Sequence, residues 1–142
     1  MKIEACLKDL QAAVQSIAEL KNRAHVVYTP EKLVRIIKGA VGPQVGIVYE
    51  GMTGIPEQGK TSKGVAKSAQ FGIYLAFPTA AGVDSLQSEA TSILLLDTIG
   101  ATLEGKQSAT GHFWEFVAES YADSFPDRAL WVQRWATKVV TR

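Results

Sequence analysis

The chain has 142 residues, 46% of them hydrophobic and 20% charged, a profile that excludes a disordered or collagen-like chain and fits one domain with one core. Fifteen Lys plus Arg against 14 Asp plus Glu leave a net charge of +1, which argues neither for nor against nucleic acid as a partner. The single cysteine, Cys6, excludes an internal disulfide or a zinc cage, and no apolar run approaches the ~20 residues that span a bilayer, so no membrane partner is expected.

Ile3, Leu7, Leu10, Val14 and Ile17 fall at spacings of four, three, four and three, which places them on one stripe of a helix. Cys6, Ala13 and Leu20 widen the stripe, so a core-facing first helix is expected over about residues 2–21, with Cys6 buried and inert. Ala24 to Tyr28 is short and β-branched and reads as a strand. Thr29-Pro30-Glu31 opens a second helix, since Thr caps, Pro suits the first helical position and Glu complements the dipole. Gly39 and Gly42-Pro43 end it.

Gln44 to Met52 reads as the next strand, and Gly51 to Gly64 holds four glycines and one proline, the composition of a loop. From Val65 to Phe77, Phe71, Ile73, Leu75 and Phe77 recur with period two, the mark of a half-buried strand. Two long strands around this loop predict an extended hairpin. Pro78 to Val83 reads as a turn, Asp84 with Gln87 as a capping box, and a third helix follows from about Ser85 to Leu103. Leu86, Ala90, Ile93, Leu94 and Leu103 are expected near its buried face, with Leu96 and Ile99 beside it. Gly105 stops it. Phe113, Trp114, Phe116 and Val117 predict a strand, Ser124 to Asp127 a turn, and Leu130 to Val140 a long closing strand. The fold class is therefore α+β: a single domain with a mixed, mainly antiparallel sheet, a long hairpin whose loop covers about 52–64, and two or three packed helices.

Gly54-Ile-Pro-Glu-Gln-Gly59-Lys60-Thr61 spells a phosphate loop, and Ile93 to Asp97 can be read as the acidic partner element that holds its Mg²⁺. A small nucleotide-binding enzyme is thus one reading. Such a loop needs a helix directly after it, so that the helix N-terminus faces the anion. Ser62-Lys63-Gly64-Val65 and the period-two pattern beyond it predict a strand instead, and Asp97 falls within a helix, so no cofactor is expected.

Neither His25 nor His112 has a ligand-type neighbour at metal spacing, and no G-x-S-x-G elbow occurs, so no catalytic or metal residue is assigned. Glu115 and Glu119 are four apart and would share one face of a regular strand. Trp114, Trp131 and Trp135 read as core or interface anchors. The charges come in blocks: Lys60, Lys63 and Lys67 without acids, then Glu115, Glu119, Asp123 and Asp127 without Lys or Arg, then Arg128, Arg134, Lys138 and Arg142 without acids. Blocks of this kind suit head-to-tail self-association, or they cancel within one subunit.

The first amphipathic helix, the strand Pro43 to Gly51 entering a polar Gly/Lys loop, the strand Ala69 to Phe77, the helix carrying Leu-Leu-Asp-Thr-Ile-Gly, and the ending Ala129 to Val140 together resemble the tail terminator, or tail-completion, proteins of long-tailed phages, the Mu-like group included. The resemblance is one of pattern and covers most of the chain. It implies a non-enzymatic virion protein forming a homo-oligomeric ring, usually a hexamer, which caps the tail tube at its neck-proximal end and joins it to the head. Its partners would be further copies of itself, the tail tube protein and head–tail connector proteins, with DNA passing through the lumen unread. A different head–tail connector or completion protein is the neighbouring alternative. The opening Met-Lys-Ile-Glu carries no signal-peptide pattern, which makes the host cytoplasm the expected place of synthesis. On this reading the expected interface residues are Thr53, Gly54, Glu57, Lys60 and Lys63 of the loop, with Arg134 and Lys138 of the closing strand.

Overall fold

The computed structural model describes residues 2–39, 42–55, 65–78, 85–125 and 128–141. Three helices, α1 (Lys2–Gln15), α2 (Pro30–Gly39) and α3 (Ser85–Leu103), pack on a sheet of five strands: β1 (Ala24–Val27), β2 (Gln44–Gly54), β3 (Val65–Pro78), β4 (Glu115–Phe125) and β5 (Arg128–Thr141). The strand order is β1-β2-β3-β5-β4. Only β1 and β2 run parallel, with α2 as the crossover that a parallel pair requires. All other pairs are antiparallel, so the α+β class and the long hairpin of β2 and β3 stand as expected.

The two faces of the sheet are covered unequally. Period two sends Val45 and Ile47 of β2, Ala69, Phe71, Ile73 and Leu75 of β3, and Trp135 and Val139 of β5 to one face. There they meet Cys6, Leu7, Leu10 and Val14 of α1 and Leu95, Leu96, Ile99 and Leu103 of α3 in the main core. Cys6 is fully buried and burial pushes its thiol pKa up, which agrees with the expected inert thiol. The opposite face carries α2 at one end only, where Ile37 packs on Ala76 and Leu130, with Leu33 and Tyr74 alongside. Leu33 Cδ1 rests directly over Gly46, in the space a Cβ there would take.

Three sequence expectations shift. The first helix stops at Gln15 rather than residue 21, since the Ser16 hydroxyl donates to the Ala13 carbonyl at 2.6 Å and Ile17 is extended. A 3₁₀ turn, Ala18–Leu20, and a left-handed Asn22 follow, yet Ile17 and Leu20 remain buried. The buried stripe of α3 is rotated: Ser92, Leu95, Leu96, Ile99 and Leu103 face the core, while Ala90, Ile93 and Leu94 are exposed. With an apolar residue at every position from 93 to 96, periodicity alone could not fix the rotation. Finally, β4 begins at Glu115. Phe113 only bridges to Gln107, and Trp114 turns inward to stand edge-on to Phe71. The Asp84 cap and the turns at 79–83 and 126–127 lie outside the described residues.

Candidate self-association surface

β4 ends the sheet, so one side of its backbone has no strand partner among the described residues. Its register against β5 slips twice, between Phe116 and Ala118 and between Tyr121 and Asp123. Each slip is a bulge, a device that bends an edge strand and blunts continuous pairing with another sheet. The first has a chemical consequence. Glu115 lies opposite Ala136 and Glu119 opposite Gln133, and adjacent β5 positions of opposite parity face opposite sides of the sheet. The two carboxylates therefore do not share a face, contrary to the regular-strand expectation, because Val117 is the extra residue between them.

The bulge also leaves apolar groups outward. Phe116 packs edge-on against Trp135 at 5.5 Å and Tyr121 against Trp131 at 5.3 Å, yet both remain about half exposed. Phe113 and Val117 are exposed as well, as are Ile93 and Leu94 on the outer side of α3. Between α3 and β4 opens a cleft of about 390 Å³ lined by Gly100, Glu104, Trp114, Phe116 and Trp135. Three aromatic walls and one carboxylate suit a cation, which gains from the ring faces and from the negative charge together.

Gln133 fixes this region from beneath. It is almost fully buried, donates to the Leu96 carbonyl of α3 at 3.1 Å and to the Glu119 carboxylate at 2.8 Å, and accepts from Trp135 Nε1 at 2.7 Å. The loop before β4 is tied to β5 by hydroxyls: Ser108 and Thr137 lie 2.7 Å apart, and Thr110 donates to the Lys138 carbonyl at 2.8 Å.

The residues expected at the interface lie elsewhere. Thr53 and Gly54 are exposed at the end of β2. Thr53 pairs with Ser68, and Ser68 with Lys138, so Thr53 and Lys138 share one cross-strand row about 10 Å long on the face that carries α2. Arg134 is engaged within the subunit. Its Nε donates to Glu50 Oε1 at 3.0 Å, and Tyr74 donates its hydroxyl to Glu50 Oε2 at 2.7 Å. Glu57, Lys60 and Lys63 lie outside the described residues. The acidic and basic blocks on β4 and β5 are hairpin neighbours.

Around the phosphate-loop letters, β2 ends at Gly54 and the antiparallel β3 begins at Val65, while Asp97 is exposed on α3. His25 is a packed polar residue, its Nε2 2.8 Å from Gln44 Oε1. Among the described residues no group of three His, Cys, Asp or Glu side chains is placed to hold a metal ion, and no helix is long and apolar enough to cross a membrane.

Sequence reasoning missed Phe116, Tyr121, Ile93 and Leu94 as surface residues because apolar side chains default to the core. The adjacent pair Phe116-Val117 carried the one available signal: neighbours in a regular strand point to opposite faces, so both being apolar requires a bulge or a second covered face. No protein-family model matches the chain, and no curated protein matches its sequence.

Proposed function

We propose that the chain is a structural subunit that assembles with copies of itself into a ring, and that this ring is a phage tail terminator. The observation that carries the first part is the apolar, acid-flanked end of the sheet formed by β4 and α3. Exposed Phe116, Val117 and Tyr121 on the edge strand and Phe113 just before it, with Ile93 and Leu94 on α3, are apolar groups of the kind that mark a protein contact. The second part rests on the resemblance of sequence pattern, which supplies the tail tube and head–tail connector proteins as partners and a lumen through which DNA passes unread. The exposed hairpin end at Thr53 and Gly54, in register with Lys138, is then a contact toward the tube or a neighbouring copy.

Sedimentation over a wide concentration range, combined with electron microscopy of assembled particles, tests the proposal. A concentration-dependent oligomer and density for the chain at the neck-proximal end of the tail are expected. A chain that stays monomeric and is absent from particles overturns it. Density elsewhere in the neck would instead favour a different head–tail joining protein.

A further inference from the structure

Two ends of the subunit carry opposite chemistry. At the β4 end, residues 91–122 hold Asp97, Glu104, Glu115 and Glu119 against Lys106 as the one Lys or Arg. All four are exposed; Glu119 shares the α3 side of the sheet with Phe116 and Tyr121, and Asp97 and Glu104 belong to α3 and its end, while Glu115, opposite Ala136, lies on the other side. At the β1 end, residues 21–39 hold Lys21, Arg23, Lys32, Arg35 and Lys38 against Glu31 as the one acid. Lys32, Arg35 and Lys38 are exposed on α2, beside exposed Tyr28 and Val34. Four strand-to-strand steps separate β1 from β4, about 19 Å across one sheet, and α2 lies on the sheet face between them, with Leu33 over Gly46 and Ile37 on Ala76 and Leu130.

We infer that these two ends are the halves of one head-to-tail contact: the acidic, aromatic β4–α3 end of one copy receives the basic α2–β1 end of a second copy. The inference rests on the self-association reading above and names the surfaces that reading uses. Charge complementarity selects the occupant. Two β4–α3 ends meeting each other would set Asp97, Glu104 and Glu119 against the same three acids, which costs free energy, whereas α2 brings the exposed bases Lys32, Arg35 and Lys38. Shape agrees with charge at both halves. The aromatic cleft of the β4 end, with Glu104 at its wall, accepts a cationic side chain. The β1 end has its own apolar cleft of about 210 Å³, lined by Tyr28, Thr29, Pro30, Leu33, Val48 and Tyr74, which an exposed ring of the facing β4 end can enter. The bulges of β4 fit this mode, because they oppose strand-to-strand extension and leave side chains to make the contact. A contact that uses two different surfaces leaves one of each free on every pair, so it propagates, into a ring where the rotation between copies closes and into an open filament where it does not.

The test blocks one half at a time. Asp97→Lys with Glu104→Lys reverses the acidic end, and Lys32→Glu with Arg35→Glu reverses the basic end; all four residues are exposed. Each double variant, alone, is expected to remain monomeric where the wild type associates, with at least about a tenfold weaker self-affinity. Mixed, the two are expected to form a one-to-one pair and nothing larger. Each retains one native half, while the two reversed halves, also opposite in charge, lack the native geometry. Raising salt weakens the wild-type contact. Neutral variants, Asp97→Asn with Glu104→Gln and Lys32→Gln with Arg35→Gln, repeat the experiment should a reversal fail to fold, as checked by circular dichroism. A basic-end variant that self-associates as well as the wild type overturns the inference in favour of a symmetric β4 contact. A wild type that assembles unaffected by either variant overturns it while leaving the ring reading intact. A wild type that stays monomeric at every concentration overturns it too, and the position of the chain in particles then decides the ring reading separately.

Discussion

Arg134 and Glu50 are 84 residues apart in sequence and 3.0 Å apart in the fold, with the Tyr74 hydroxyl completing a triad on the open part of the α2 face. Both charged side chains are less than one-third exposed. Glu50 reaches this position because the register of β2 slips between Tyr49 and Gly51, where Gly51 takes φ +111. A charge read from sequence as available to a neighbour is thereby used inside the subunit. Arg134→Gln should reduce stability and leave self-association unchanged, and a double-mutant cycle with Glu50→Gln should give a coupling of about 1 kcal/mol. Urea unfolding of the four proteins measures it.

The same triad sets an alkaline limit. Burial first, then the hydrogen bond to Glu50, pushes the Tyr74 pKa above its ordinary 10.0, and burial pushes Cys6 above its ordinary 9.0. A proton bound more tightly in the folded chain than in the unfolded one gives stability that is present in full below the unfolded pKa. It is lost as pH rises through the folded pKa. Urea midpoints should therefore fall from about pH 9 upward. The slope should be shallower in Tyr74→Phe and in Cys6→Ala than in the wild type.

Gln133 is the buried polar hub beneath the proposed contact. Gln133→Leu removes the acceptor of Trp135 Nε1 and both of its own donated bonds. Leaving a buried donor unpaired costs about 1–3 kcal/mol, so a loss of that size is expected in denaturant unfolding. Near-ultraviolet circular dichroism should change with it, since Trp135 reports the site.

Phe71 is fully buried between Tyr49 and Trp114, with ring centroids 5.4 Å away on each side. Phe71→Ala should cost about 3–5 kcal/mol. Thermal or chemical unfolding reads the loss directly.

The phosphate-loop letters make a separate prediction. With β3 antiparallel to β2 beyond the loop, Mg-ATP at saturating concentration should leave the melting temperature unchanged. A ligand present at 100 times its Kd would stabilise by about 2.7 kcal/mol, a shift a thermal scan resolves easily. Such a shift would revive the nucleotide reading.

The sequence by itself determined the order of elements, the hairpin and the composition of the main core. These follow from local periodicity and turn chemistry: the stripe Leu7, Leu10 and Val14, the alternation Phe71, Ile73 and Leu75, and the glycines that punctuate them. Only the tertiary structure decided which apolar residues stay outside. The single slipped residue at Val117 separates Glu115 from Glu119 across the sheet, and the all-round apolar run 93–96 left the rotation of α3 to its packing on the sheet. Charge blocks were legible as letters, but their partners were not. Strand order is a long-range choice: it set the acids of β4 beside the bases of β5 and put β1 at the far edge. No local pattern encodes that choice, because it depends on which strands pair across tens of residues.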